Sequence, residues 1–194
     1  MRKTLMPDVV EQWEDTHYAY SDYLDTEDDY RAEIIDGRLC VMSPPSRYHQ
    51  DVLGSLFVKL ALFVEGKPYK VYPAPFGVRL FPKTDLSDDV YVEPDITVIR
   101  DPSKLDDRGC NGAPDMIVEI MSPSNRQNDM LVKFRMYLKA AVREYWIVDV
   151  EEKTVHACIL DNNQYRVSVY DETQTVPVSV LPGCCVELKS VFTA

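Results

Sequence analysis

The sequence predicts an α/β protein with a mixed central β-sheet, helices on its flanks and additional antiparallel strands. Helical apolar patterns alternate with short apolar runs over residues 30–150, two of these runs carry an internal carboxylate, and residues 150–188 hold only strand-like segments. A chain of 194 residues is long enough for one large core and short for two. We therefore expect a single domain over residues 30–194, with residues 1–29 as an acidic segment packed on it.

The net charge of the chain limits how it could bind nucleic acid. A net charge of −11 argues against a protein that coats nucleic acid through a basic surface. The negative charge is uneven, because residues 1–36 hold eleven acidic and three basic side chains and so account for −8 of it. The rest of the chain is close to balanced, which leaves a local contact with nucleic acid open.

The sequence gives no sign of a membrane or zinc protein. No apolar stretch approaches the roughly 18 residues that a membrane span needs. The start of the chain reaches Pro7 and Asp8 without an apolar signal region, so we expect a cytoplasmic protein. The five cysteines form no C-x-x-C pair and the three histidines are scattered, so zinc-ligand spacing is absent.

The first elements are predicted by turn and capping residues. Residues 9–29 are polar, acidic and aromatic, and we expect a short helix and surface loop there. Asp36-Gly37 between two apolar runs is typical of a hairpin within residues 30–42, with Glu33 in its first arm. Ser46 can cap a helix over about residues 48–64. Its apolar face is predicted to contain Val52, Leu53, Leu56, Leu60 and Phe63.

Three further strands are predicted in the middle of the chain. Residues 70–72 and 76–81 are separated by prolines, which interrupt strand pairing. Residues 90–99 form an apolar run in which Asp95 lies on the face opposite its apolar neighbours. We expect residues 100–114 to form a loop.

The next strand and helix carry two more candidate residues. Residues 116–121 are apolar on both faces except at Glu119, as expected of a central strand. Ser122–Asn125 offers caps for a helix over about residues 127–142, and Lys133 lies near the border of its buried stripe, from where it can reach over the strand ends. That stripe is predicted to contain Met130, Phe134, Tyr137, Leu138 and Ala141. Strands should follow at 144–150, 155–160, 165–170 and 185–188.

The carboxylates of Asp95 and Glu119 are the main indication of a chemical site. An ionised side chain in a buried strand needs a partner, because transferring an unpaired charge out of water costs several kcal/mol. Two carboxylates from adjacent strand ends are hard oxygen ligands, which suit Mg²⁺ or Mn²⁺. Lys133 could then hold or deprotonate an attacking water. The motifs of dinucleotide, P-loop, zinc-protease and serine-hydrolase sites are absent.

Each candidate also has a structural interpretation. Asp95 could cap a turn, Glu33 could pair with Arg31, and Lys133 could be a solvated helix lysine. His49, at the start of a helix, is more typical of packing or capping than of catalysis. Three aromatic residues are better explained as core than as base-stacking groups: Tyr137, Tyr145 and Trp146. Four basic residues could track phosphates, although a solvated face is the default: Arg126, Arg135, Lys139 and Arg143.

Several motifs occur in the order typical of a known family. They are Tyr30–Gly37, Pro44-Pro45-Ser46 followed by His49, Pro94-Asp95-Ile96, Val118–Ser124, Asp129 to Lys133 to Tyr137, and Glu144–Asp149. With these motifs the chain resembles the Uma-type family of restriction endonucleases within the PD-(D/E)XK nuclease superfamily. The resemblance covers about residues 18–188.

The resemblance implies a restriction-endonuclease-like core and metal-dependent hydrolysis of phosphodiester bonds in DNA. It implies that Asp95 and Glu119 bind Mg²⁺ or Mn²⁺ and that Lys133 is the catalytic lysine, while Glu33 could help hold a second ion. The chain departs from the superfamily motif at Met121, where a lysine is usual, and the Uma-type pattern places its lysine on the following helix. A second departure is Ala141, where relatives usually have a glycine that ends the helix. Duplex cleavage would need two sites, so a homodimer is expected.

Two other functions remain open. A catalytically inactive protein of the same fold could bind nucleic acid or a protein partner, which the acidic charge and the missing strand lysine favour. An RNA or structure-specific nuclease would use the same site chemistry.

Overall fold

The computed structural model describes residues 16–24, 31–121 and 128–193, with side chains from residue 131 onward in the last segment. Its α-helices are α1 (Tyr20–Leu24), α2 (Arg47–Val64), α3 (Asn128–Lys139) and α4 (Lys189–Phe192). Its strands are β1 (Ala32–Ile35), β2 (Arg38–Val41), β3 (Lys70–Pro73), β4 (Val78–Arg79), β5 (Ile96–Ile99), β6 (Leu105–Asp106), β7 (Gly109–Asn111), β8 (Met116–Met121), β9 (Glu144–Asp149), β10 (Thr154–Asp161), β11 (Gln164–Asp171), β12 (Thr175–Pro177) and β13 (Cys185–Glu187).

In the part of the chain that the structure describes, the central sheet has six strands, in the order β11-β10-β9-β8-β5-β3. β8 and β9 pair in parallel, whereas the other neighbouring pairs are antiparallel. Parallel neighbours need a crossover, and α3 lies in the chain between β8 and β9. The predicted mixed sheet with flanking helices and additional antiparallel strands is therefore confirmed.

The sheet has a hydrophobic core on each face. Met116, Val118 and Ile120 of β8 belong to the core that contains α2 and the C-terminal segment. Ile117 belongs to the other core, together with Tyr137 of α3. Because side chains alternate along a strand, Glu119 lies on the α3 face, within reach of that helix.

The hairpin and the first long helix are confirmed. Asp36 and Gly37 both have positive φ, at 49° and 75°, which is the conformation of a two-residue turn that Asp-Gly favours. The Oγ of Ser46 accepts a hydrogen bond from the N–H of His49 at 3.1 Å, so Ser46 is the N-cap of α2. This cap places the His49 side chain at the first turn of the helix.

The single strand predicted for residues 90–99 is wrong, because the chain is interrupted at Pro94. Tyr91 and Val92 form only isolated bridges, with Ile34 and Val78, and β5 begins at Ile96. Proline has no N–H to donate to the ladder. Asp95 therefore lies just before β5 rather than inside a strand.

Other boundaries also differ from the prediction. Residues 76–81 form only β4, at Val78–Arg79, and the expected loop at 100–114 contains the hairpin of β6 and β7. β12 was not predicted, and it pairs with β13.

The helix α3 is shorter than the predicted residues 127–142. Ala141 has φ 59° and follows the helix, and the N–H of Val142 bonds the carbonyl of Tyr137 at 3.0 Å. This is the left-handed helix end that glycine usually adopts. Ala141 is consequently exposed rather than part of the buried stripe, where Met136 lies instead. The predicted caps at Ser122–Asn125 and the side chain of Met130 lie outside the described residues.

Part of the acidic segment packs on the domain. The N–H of Tyr20 bonds the carbonyl of Asp88 at 2.8 Å, and the Tyr20 ring stacks on Tyr91 with centroids 5.0 Å apart. Most of residues 1–29 lies outside the described ranges, so the division at residue 30 stays a prediction. Across the described ranges, no helix combines the length and the apolar character needed to cross a membrane.

Candidate active site

The ammonium of Lys133 joins two carboxylates that are distant in sequence. Its Nζ lies 2.9 Å from Oε1 of Glu119, and 3.0 and 2.9 Å from Oε1 and Oε2 of Glu33. The three side chains are mostly buried, with 13%, 15% and 6% of their surfaces exposed for Lys133, Glu119 and Glu33. The interpretation of Lys133 as a solvated surface lysine is therefore wrong.

Tyr137 is a member of this cluster that sequence reasoning assigned only to the core. It lies one turn after Lys133 on α3, and its hydroxyl donates to Oε1 of Glu119 at 2.6 Å. The ring is fully buried and also packs edge-on against Tyr145, with centroids 4.9 Å apart. The spacing of four residues from Lys133 was the signal that could have shown that both side chains meet the same carboxylate.

Asp95 is held by groups from two other elements. The main-chain N–H of Ile120 donates to Oδ2 of Asp95 at 2.7 Å, which links this carboxylate to the strand residue next to Glu119. The Nε2 of His49 lies 3.2 Å from the same oxygen. Nδ1 of His49 is buried and has no hydrogen-bond partner in residues 16–24, 31–121 and 128–193. Since a carboxylate can only accept, this contact requires the proton on Nε2.

Glu33 is fixed from the other side. One of its oxygens, Oε1, accepts the main-chain N–H of Glu93 at 3.0 Å. Arg31, the partner considered from the sequence, instead pairs with Glu93 at 2.8 Å. The hairpin of β1 and β2 thus positions Glu33 in contact with Lys133.

Among the described residues the cluster holds more carboxylates than ammonium groups, because Lys133 contacts both Glu33 and Glu119 and the charge of Asp95 also acts on Glu119. Burial raises the pKa of Glu119 from its usual 4.5 to about 7; the nearby Lys133 opposes this rise, while Glu33 and Asp95 add to it. Burial alone would lower the pKa of Lys133, but the charges of Glu119 and Glu33 outweigh it and raise that pKa above its usual value. Lys133 therefore keeps its proton at neutral pH.

The same charges act on His49 and Tyr137. Burial lowers the pKa of His49, but the hydrogen bond and charge of Asp95 raise it above its usual value overall. The pKa of Tyr137 is raised by burial first and then by the charge of Glu119, so its hydroxyl stays a donor. Both groups therefore act as hydrogen-bond donors to the carboxylates.

The donor set suits a hard divalent cation bound partly through water. The described hydrogen bonds of the two side chains go to Oδ2 of Asp95 and Oε1 of Glu119, which leaves the other oxygen of each carboxylate for a further ligand. Within the described ranges, no three His, Cys, Asp or Glu residues come together in a group that could hold a metal. Two carboxylates with several waters is a usual arrangement for Mg²⁺.

The basic residues near α3 that the structure describes do not form a second cluster around the site. Arg143 pairs with Asp115 at 3.0 Å, and the Nζ of Lys139 lies over the ring of Phe81. Arg135 is exposed. Arg126 lies outside the described residues. Tyr145 and Trp146 are almost fully buried, as expected of core residues.

The comparison with protein families identifies the family of this chain. Residues 15–189 match Uma2, described as "Putative restriction endonuclease". The chain belongs to the Uma2 family. Because the match spans most of the chain, it includes every residue of the candidate site.

A solved structure has the same fold as this Uma2 chain. It is the crystal structure of a putative nuclease belonging to DUF820 from Anabaena variabilis ATCC 29413, with a TM-score of 0.73 and 21% sequence identity. The similarity covers 91% of this chain and 98% of that one. The search of curated proteins gives no significant match.

Proposed function

We propose that this Uma2 protein is a divalent-metal-dependent endonuclease that hydrolyses phosphodiester bonds in DNA. The observation that carries the proposal is the buried cluster in which Lys133 pairs with Glu33 and Glu119, while Asp95 lies close enough for its charge to act on Glu119. The excess of negative charge favours binding of a cation. The family description supports nucleic acid as the substrate, and DNA is the substrate that restriction chemistry implies.

Asp95 and Glu119 are assigned as the metal ligands. Mg²⁺ or Mn²⁺, when bound, would stabilise charge on the scissile phosphate and lower the pKa of a coordinated water. The N–H of Ile120 and the imidazole of His49 fix one oxygen of Asp95. Lys133 and Tyr137 fix one oxygen of Glu119. These contacts orient both carboxylates before any cation arrives.

Lys133 is assigned an electrostatic role rather than that of a general base. Its raised pKa means that it has no free lone pair at neutral pH. Its ammonium can donate to the attacking water and can stabilise the negative charge that develops on the phosphate. Glu33 holds this ammonium with both oxygens, so we assign Glu33 to Lys133 rather than to a second ion.

Nicking of supercoiled plasmid with Mg²⁺ or Mn²⁺ tests the proposal. We expect the wild type to nick, and Asp95→Ala and Glu119→Ala to lose at least about a thousandfold in rate, the scale of a lost charge-stabilising group. Lys133→Ala should lose about a hundredfold or more. Glu172→Ala, which removes a surface carboxylate paired with Lys153, is the matched control and should cut normally.

If no cleavage is seen, a metal-binding measurement distinguishes a protein without a working metal site from an active protein tested on the wrong substrate. Titration calorimetry with Mn²⁺ should show binding to the wild type and to Glu172→Ala, and loss of binding in Glu119→Ala. Parallel digests of single-stranded and duplex RNA test the alternative substrate. The proposal fails if the wild type cuts no DNA with either metal, or if the Asp95 and Glu119 variants cut as well as the wild type. DNA binding without cleavage would favour the inactive alternative.

A further inference from the structure

The two edges of the central sheet are built differently. β3, at one edge, has four residues, begins with Lys70 and ends with Pro73, and both residue types discourage pairing with another strand. β11, at the other edge, has eight residues without proline, and its pairing with β10 runs through all eight without a bulge. β11 therefore lacks the short length, the proline and the bulge that often protect an edge strand.

The outward main-chain groups of β11 can be identified from the hydrogen bonds of its neighbours. Leu160, opposite Tyr165, gives its N–H to Arg143, so Leu160 and Tyr165 are not a hydrogen-bonded pair. Because such pairs alternate, Tyr165, Val167 and Val169 direct their N–H and C=O groups away from β10. Within the described ranges no strand pairs with this side of β11.

The side chains of β11 are also unusual for this protein. Val167 is 48% exposed and Val169 is 56% exposed, on the same face of the strand. Residues 164–171 contain one arginine and one aspartate and so carry no net charge, in a chain whose net charge is −11. Two copies of such an acidic protein repel each other over most of their surfaces but not along this strand.

We infer that β11 is the contact surface for a second copy of this chain, paired antiparallel through its outer edge. A two-fold axis through Ser168 places Val167 opposite Val169 of the second copy, and these residues then exchange N–H···O bonds. Arg166 comes opposite Tyr170 of the second copy on the other face, where a guanidinium and an aromatic ring attract each other. The strand is thus complementary to itself in both its apolar and its polar face.

The inferred contact is independent of the proposed chemistry. β8, which carries Glu119, lies three strands from β11, or roughly 14 Å at the usual strand spacing. Each copy therefore keeps a complete site, and the partner adds no residue to it. Failure to detect the dimer would therefore refute the contact without refuting the nuclease proposal, and failure to detect cleavage would do the reverse.

Mass measurement tests the contact directly. Light scattering at several concentrations should show the wild type at twice the chain mass of 22.3 kDa. Val169→Lys should weaken self-association about tenfold or more, because it places a charge in the row of valines at the edge. Val58→Lys, at an equally exposed valine on α2, is the matched control and should stay dimeric. A monomeric wild type, or a dimer that survives Val169→Lys, overturns the inference.

Amide hydrogen exchange tests the contact without a substitution. The N–H groups of Tyr165, Val167 and Val169 should exchange about tenfold or more slowly when the protein concentration is raised. Those of Arg166, Ser168 and Tyr170 bond to β10 and should not change, which provides an internal control. Concentration-independent exchange of the first set rejects the contact, even if the protein forms dimers by another surface.

Discussion

Two buried ionic clusters in this protein differ in their charge balance. Asp88 is fully buried, and its Oδ2 accepts from Nη2 and Nε of Arg79 at 2.6 and 3.1 Å, while its Oδ1 accepts the N–H of Lys83 at 2.6 Å. One carboxylate meets one guanidinium, and both oxygens are satisfied. In the candidate active site, the ammonium of Lys133 contacts two carboxylates, Glu119 and Glu33, and a third, Asp95, acts on Glu119 through its charge.

The difference separates a structural cluster from one that can accept a cation. A buried pair with matched charge and satisfied oxygens is complete, and it loses stability when either member is removed. In a buried cluster with more carboxylates than cations, the pKa of one carboxylate rises, as at Glu119, where burial raises it first and the charges of Glu33 and Asp95 add to the rise. Such a site is poorly stabilised by the protein alone, which is expected where a ligand supplies the missing charge.

The largest expected effect is the loss of stability in Asp88→Ala. The Arg79 side chain is only 13% exposed and would be left without its carboxylate, so we expect the free energy of unfolding to fall by about 3–5 kcal/mol. Denaturant unfolding measures this. Glu172→Ala, which breaks a half-exposed pair with Lys153, should change stability little. Equal losses in the two variants would contradict the contrast between the clusters.

Lys133→Met should have a slightly smaller effect on stability and a large one on cleavage. It leaves Glu33 and Glu119 without their ammonium, and we expect a loss of about 3 kcal/mol near neutral pH. The loss should shrink at low pH, because protonation of Glu119 removes its repulsion with Glu33. Lys133→Arg keeps the charge but not the compact shape of the ammonium, so it should recover stability better than cleavage. A loss in Lys133→Met that is independent of pH would argue against this account.

The sequence predicted the parts of the site that depend on local patterns. Glu119 interrupts an otherwise apolar strand, and Asp36-Gly37 marks the turn that presents Glu33, so both could be found from neighbouring residues. The pairing of Lys133 with Glu33 could not, because it joins residues that are a hundred positions apart. Such contacts depend on how the hairpin and α3 pack on the sheet.

The errors in strand prediction have local physical causes. The apolar pattern of residues 90–99 was read as one strand, although Pro94 cannot donate to a ladder. The break in the strand places Asp95 where the N–H of Ile120 donates to it. The interruption at Pro94, which made the strand prediction wrong, therefore also helps to form the site. Tyr137 was assigned to the core because it lies on the apolar stripe of α3, a pattern that does not show that its hydroxyl donates to Glu119.

The pH dependence of stability should show the raised pKa of Glu119. When a chelator keeps metal ions out of the site, the folded state binds a proton on Glu119 more tightly than the unfolded state does. The reason is that folding raises the pKa of Glu119 from 4.5 to about 7. This contribution is fully present below pH 4.5 and is lost as pH rises toward 7. Glu119→Gln should remove that decline, as measured by denaturant unfolding across this range. A decline that persists unchanged in Glu119→Gln would assign it to another group.

The smallest expected effect, Tyr137→Phe, tests whether a hydrogen bond to Glu119 matters for function as well as stability. Phenylalanine keeps the packing against Tyr145 but removes the donor to Oε1 of Glu119, so stability should fall by about 1 kcal/mol. The half-saturating Mn²⁺ concentration for nicking should rise about tenfold, because Glu119 is then held by Lys133 without the tyrosine.

Tyr165→Phe is the matched control for this last effect. Its hydroxyl donates to the carbonyl of Val142 at 2.8 Å, away from the carboxylates. It should therefore cost similar stability while leaving the metal dependence of nicking unchanged. Equal shifts in metal dependence for both variants would mean that Tyr137 supports only the fold, and that Lys133 alone orients the Glu119 carboxylate.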